Sequence, residues 1–128
     1  MSVSVSIINL LLADSGVTDL VNRSIHANVL KQDVTYPAIY INASRMEPVG
    51  CFKKSPLVGA VEIGVYASTY LQAIDVLTAI HSVLDDYSGV SSGVGLNITK
   101  YREFEDQFDE AGKNHVKVLE YEMVAQIN

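Results

Sequence analysis

Between Leu57 and Gly89 a hydrophobic pattern with a period of two passes directly into a helical one, and few arrangements satisfy both. Val61, Ile63, Val65 and Ala67 alternate with Glu62, Gly64, Tyr66 and Ser68, the pattern of a half-buried strand that ends at Ser68. Thr69 with Gln72 three positions on has the form of a capping box, in which a hydroxyl and an amide satisfy backbone donors at a helix start. From there Tyr70, Ala73, Ile74, Val76, Leu77, Ile80, Val83, Leu84 and Tyr87 fall on one half of a helical wheel. Gln72, Asp75, Thr78, Ser82, Asp85 and Asp86 fall on the other. Gly89 is placed to take the left-handed conformation that ends a helix. The expected unit is a strand with a helix folded back over it.

A chain of 128 residues, 48% of them hydrophobic, fits a single domain spanning 1–128 that buries roughly two thirds of its unfolded surface. Its net charge of −6, with only nine Lys and Arg, argues against a surface that coats nucleic acid, because such surfaces need clustered cations to displace counterions. The single Cys51 rules out an intramolecular disulfide and fits a reducing compartment. The apolar run Ile7 to Ala13 is too short to cross a bilayer, and no basic residue precedes it, so the reading is a soluble, non-exported chain without a membrane role.

The remaining elements follow in order. Val5, Ile8, Leu11 and Leu12 recur at helical spacing up to Gly16, and Thr18 to Asn22 suits one further turn capped by Thr18. Ile25, Ala27 and Val29 face one way in a first strand. Ile39, Ile41 and Ala43 do so in a second, with Pro37 at its first residue, where a missing N–H is tolerated. Arg45 to Pro56 breaks the alternation with Pro48, Gly50 and Pro56 and carries Arg45, Lys53 and Lys54. It is expected to be a long mobile loop and a contact site. Ser88 to Gly95 reads as a flexible connector.

Val94, Leu96 and Ile98 begin a long strand that should pair as a hairpin with Lys113 to Ile127, across a loop of about residues 102–113. In that last strand the apolar phase switches from Val116 and Val118 to Leu119, Tyr121, Met123, Ala125 and Ile127, which suggests a β-bulge near Val118. The expected fold is α+β: a mainly antiparallel sheet of about four to five strands with two α-helices on one face.

Residues that carry chemistry are sparse. His26, His81 and His115 lie far apart and have no ligand spacing with Cys51, so no metal or cofactor is expected. The run Gly89, Gly93 and Gly95 lacks the lysine of a phosphate cradle, and no G-x-S-x-G elbow occurs, so the chain does not read as an enzyme. The densest charge is Glu103, Glu105, Asp106, Asp109 and Glu110, set among Phe104 and Phe108. It lacks the alternating oxygens, central glycine and terminal glutamate of a calcium loop. Two readings stay open: a solvated hairpin end, or an acidic contact surface for a partner protein.

Several stretches together resemble one family. They are the first helix with Ile8, Leu11, Leu12, Ala13 and Asp14; Arg23, Ser24 and Ile25; Tyr36, Pro37, Ala38 and Ile39; the block Val61 to Tyr70; and the segment Tyr101 to Asp109 before the closing strand. In order and pattern, over nearly the whole chain, the sequence is similar to the tail completion, or tail terminator, proteins of long-tailed bacteriophages. The resemblance implies a structural virion protein without cofactors: a ring, typically hexameric, at the head-proximal end of the tail, assembled in the host cytoplasm. Such a ring stops tail-tube polymerisation, meets the tail tube protein and the head connector protein, and lets DNA pass without specific binding.

The candidate assembly interface is Arg45, Lys53 and Lys54 with Glu103, Glu105, Asp106, Phe104 and Phe108, because opposite charges on two separated segments suit contact between neighbours. A head-completion or connector adaptor is the alternative within the virion. A small cytosolic ligand-binding module would need a convergent polar group in an apolar cleft.

Overall fold

A computed structural model describes residues 2–28, 34–50 and 55–127. Its helices are α1 (Val3–Leu12), α2 (Ser15–Val21) and α3 (Tyr70–Leu84). Its strands are β1 (Ile25–Ala27), β2 (Ala38–Pro48), β3 (Leu57–Ala67), β4 (Ser88–Ser91), β5 (Val94–Glu103), β6 (Gln107–Asp109) and β7 (Asn114–Ile127). The α+β class and the mainly antiparallel sheet are as expected, but the described residues form seven strands and three helices rather than four to five strands and two helices. No single described helix is long and apolar enough to cross a membrane.

The sheet order is β1-β2-β3-β7-β5-β4, with β6 also paired to β7. Among the described residues, only β1 and β2 run parallel. β7 is the hub: it pairs with β3 from Leu57↔Ala125 to Ala67↔His115, and with β5 and β6 on its other side. α1 touches β1 and β2 near one edge of the sheet and β4 at the other. Asn9 Nδ2 donates to Ser92 Oγ at 2.6 Å, and Ser91 Oγ donates to the Ser6 carbonyl at 2.9 Å. The sheet therefore curls until one helix spans its two margins.

Inside the curl lie Ile7, Leu11, Val17, Ile39, Ile41, Ile63, Val76, Ile80, Leu119 and Tyr121, all fully buried. Each large aliphatic among them contributes about 1.5–3 kcal/mol through burial. The strand-to-helix unit forms as its sequence requires: Thr69 Oγ1 accepts from the Gln72 N–H at 3.2 Å, and Ala73, Val76, Leu77, Ile80 and Leu84 face the core. α3 stops at Leu84, earlier than expected. Asp86, at φ 58°, takes the left-handed conformation assigned to Gly89, and Gly89 itself lies in β4.

Other expectations are corrected by packing. α1 buries Val3, Ile7 and Leu11, which leaves Val5 half exposed. Gly16 lies within α2 rather than ending a helix, because Asp14, not Thr18, is the cap: its carboxylate accepts from the Val17 N–H at 3.1 Å. Pro37 precedes β2, joined to Tyr36 by a cis peptide bond. The supposed connector 88–95 is β4 and a tight turn at Ser92 and Gly93, both at positive φ. Val29, Cys51, Lys53 and Lys54 lie outside the described residues.

The one bulge expected from the sequence, near Val118, is absent, and two others occur elsewhere. β7 has no bulge at Val118, since its pairing with β3 is unbroken; Val116 and Val118 face the opposite side of the sheet. The bulges are in β2 between Asn42 and Arg45, and in β5 between Ile98 and Lys100. The first lets β2 run on to Pro48, so Arg45 is a strand residue and the interruption is shorter than 45–56. β5 reaches Glu103 and β6 occupies 107–109, so the span 102–113 is not one loop.

Candidate functional site

The helices cover the concave side of the sheet, and the convex side carries a row of aromatic and charged side chains set by strand register. Tyr40 lies opposite Gly64, Glu62 opposite Glu120, Lys100 opposite Glu122 and Arg102 opposite Glu120. Gly64 is required there: a Cβ at this position would lie 1.8 Å from the Tyr40 ring. The ring crosses the gap, and Tyr40 Oη donates to Glu62 Oε2 at 2.7 Å. Burial, followed by the Glu62 carboxylate, pushes the Tyr40 hydroxyl well above the usual tyrosine range. Tyr66 packs edge-on against Tyr40 at 6.3 Å and tilted against Tyr36 at 6.4 Å, and burial raises its hydroxyl too.

Glu120 is the buried charge of this row, with its side chain 9% exposed. It is held between Arg45, which contacts Oε2, and Arg102, whose Nη2 lies 3.5 Å from Oε1. Lys100 sits 3.6 Å from Glu122. The row is thus paired across strands, so its solvent face is charged but internally balanced.

The acidic segment is divided. Glu103 Oε1 lies 3.2 Å from His81 Nε2, and His81 Nδ1 lies 2.9 Å from Asp85 Oδ1. Tyr121 is fully buried, and its hydroxyl donates to the same Asp85 oxygen at 2.7 Å. Burial and then Asp85 raise the Tyr121 hydroxyl. Asp106 accepts from Lys117 Nζ at 2.5 Å. Lys117 sits 5.5 Å from the centre of the Tyr70 ring. This bond holds the Asp106 carboxyl below its usual range and Lys117 above its own. Phe104 lies under the Arg102 guanidinium at 4.9 Å, Phe108 against His115 at 5.0 Å, and Glu105 is exposed.

Arg45 is therefore engaged within its own subunit, apart from the acidic segment, whereas Glu105, Phe104 and Phe108 remain exposed. Sequence reasoning missed Glu120, Lys100, Arg102, Tyr40 and His81. The available signal was Glu120 and Glu122 at even positions of a strand whose odd positions are apolar. Among the described residues no His, Cys, Asp and Glu side chains group as metal ligands.

No curated protein matches this sequence. Among solved structures, a chain from the virion of the native gene transfer agent particle superposes with a TM-score of 0.74 at 14% identity, covering 98% of this chain and 94% of that one, which establishes a shared fold. Residues 5–126 match the family described as tail completion protein gp17. A match of that length leaves almost none of the sequence outside it, and the protein belongs to the tail completion protein gp17 family, a structural, tail-related component of a virion.

Proposed function

We propose that the chain is a tail terminator subunit, forming a ring, hexameric in the expected case, at the head-proximal end of the tail. The ring caps the tail tube protein, ends its polymerisation and meets the head connector protein; assembly takes place in the host cytoplasm. The observation that carries this reading is the convex sheet face, which no described helix covers and whose charges are balanced across strands. Such a face suits lateral contact between identical subunits, where one patch meets a different patch of the next copy round the ring and a balanced face brings no net repulsion. Phe104, Phe108 and Glu105, exposed beside the face, are the proposed contact residues, together with Arg45, Glu103 and Asp106 and with Lys53 and Lys54, which lie outside the described residues. A net charge of −6 suits a lumen through which DNA slides without specific binding.

The test is imaging of particles with this subunit labelled, together with a Lys53→Glu, Lys54→Glu variant. Density as a closed ring between tube and connector, and failure of tails to join heads in the variant, is the expected result. A label inside the head connector would instead favour the head-completion adaptor, and normal joining by the variant would remove Lys53 and Lys54 from the interface.

A further inference from the structure

Among the described residues, the curl leaves the end of β5 as an uncovered stretch of sheet edge. β4 pairs with β5 only from Val94 to Asn97, and the next bond on that side is the Ile98 N–H donating to the Tyr87 carbonyl at 2.9 Å. Thr99, Lys100, Tyr101, Arg102 and Glu103 beyond it are all exposed, and among the described residues no strand pairs with that side of them. Alternate backbone N–H and C=O groups of such a stretch point outward without a strand partner. Lys100 and Arg102, whose charges often blunt an edge, lean back toward Glu122 and Glu120 and leave the edge itself clear.

A notch of about 250 Å³ opens at this edge, walled by Asp85, Asp86, Thr99, Lys100, Tyr101 and Tyr121. Asp86 has no hydrogen-bond or ion-pair partner among the described residues. Glu103 and the half-exposed ring of Tyr101 share this side, with Tyr101 4.5 Å from His81.

We propose that this edge receives an extended strand of a different virion protein, carrying Lys or Arg at alternate positions. A strand added to β5 turns every second side chain toward the helices, so its cations meet Asp85, Asp86 and Glu103 and lie against Tyr101. Main-chain bonds supply affinity, and the alternating charge sets register and rejects acidic strands. A second copy pairing β5 with β5 antiparallel is disfavoured. It would oppose Lys100 and Arg102 to their own counterparts on one face and acidic groups to acidic groups on the other.

The inference rests on family membership, not on the ring reading, and its test works wherever in the particle the subunit sits. A photo-crosslinking amino acid replaces Thr99, and amide exchange of residues 99–103 is compared between isolated chain and assembled particles. Expected are a crosslink to another protein at a segment with alternating Lys or Arg, and slowed exchange on assembly. Asp86→Asn keeps a residue that tolerates positive φ while removing the charge. It should lower crosslink yield about two- to fivefold, the range of one exposed charge pair, without changing the melting temperature. Crosslinks only to another copy of this chain, to a helix or to nothing, or unchanged exchange of 99–103, would overturn the proposal.

Discussion

Glu62 and Glu120 stand directly opposite each other across β3 and β7, two carboxylates in the position where like charges destabilise a sheet. Both are held from β2, Glu62 by the Tyr40 hydroxyl and Glu120 by Arg45, and Glu120 is also held by Arg102 of β5. Arg45→Ala should therefore destabilise the fold by about 1 kcal/mol, less than a fully buried pair, because the guanidinium is 56% exposed. Urea denaturation measures it. Adding Glu120→Gln should restore part of the loss, since no uncompensated carboxylate then faces Glu62.

Gly64→Ala should force the Tyr40 ring out of its place and break its bond to Glu62. A cost of about 1–3 kcal/mol follows from overpacking of this kind. Tyr40→Phe, which loses only the hydroxyl, should cost less. Equal stability of Gly64→Ala and the parent protein in thermal unfolding would contradict the close approach.

The Asp106 and Lys117 pair makes stability depend on pH at both extremes. The Asp106 carboxyl is held below its ordinary 3.8 chiefly by the Lys117 bond, so its stabilising effect is present above that value and lost as pH falls through the lower folded-state one. Lys117 is raised above its ordinary 10.5 chiefly by Asp106, so its effect is present below 10.5 and lost as pH rises through the higher folded-state value. The melting temperature of the parent should exceed that of Asp106→Asn by a steady margin from about pH 5 to 9, and the margin should shrink on both sides. A margin independent of pH would mean the pair does not form in solution.

Ile63→Asp places a carboxylate at a position with no exposed surface, between Ile41 and Leu119. An unpaired buried charge costs several kcal/mol, comparable with the whole stability of a small domain. The variant should be insoluble or lack native circular dichroism.

The block Val61 to Leu84 was legible because its signals are local: alternation, a cap three residues from its partner, and a helical stripe. Arg45 to Pro48 was not, because the bulge at Asn42/Arg45 breaks the period of two where β2 continues, and prolines then mimic a loop. Val116 and Val118 looked like a phase error for a different reason. β7 carries apolar residues on both faces near its start, Val116 opposite Tyr66 and Val118 opposite Gly64, which a single strand's periodicity cannot separate from a bulge. The candidate site was half legible. The charges of 103–106 are visible in sequence, but their partners His81 and Lys117 come from elements 22 and 11 residues away and are set by register alone. Glu120 shows in the sequence as a polar even position, but the two arginines that hold it, Arg45 and Arg102, come from β2 and β5 and are brought to it only by strand register.

The position of β7 also decides what joins the two halves of the sheet. β3 and β5 share no ladder with each other; β7 lies between them and pairs with both. Without the ladders of Asn114–Ile127, β1-β2-β3 and β4-β5 would be two half-sheets with no strand pairing between them. That one strand closes the curl and itself carries the buried Tyr121 and Glu120, whose two arginines come one from each half, Arg45 from β2 and Arg102 from β5. The closure of the fold and the neutralisation of the buried Glu120 carboxylate on the convex face thus depend on the same strand.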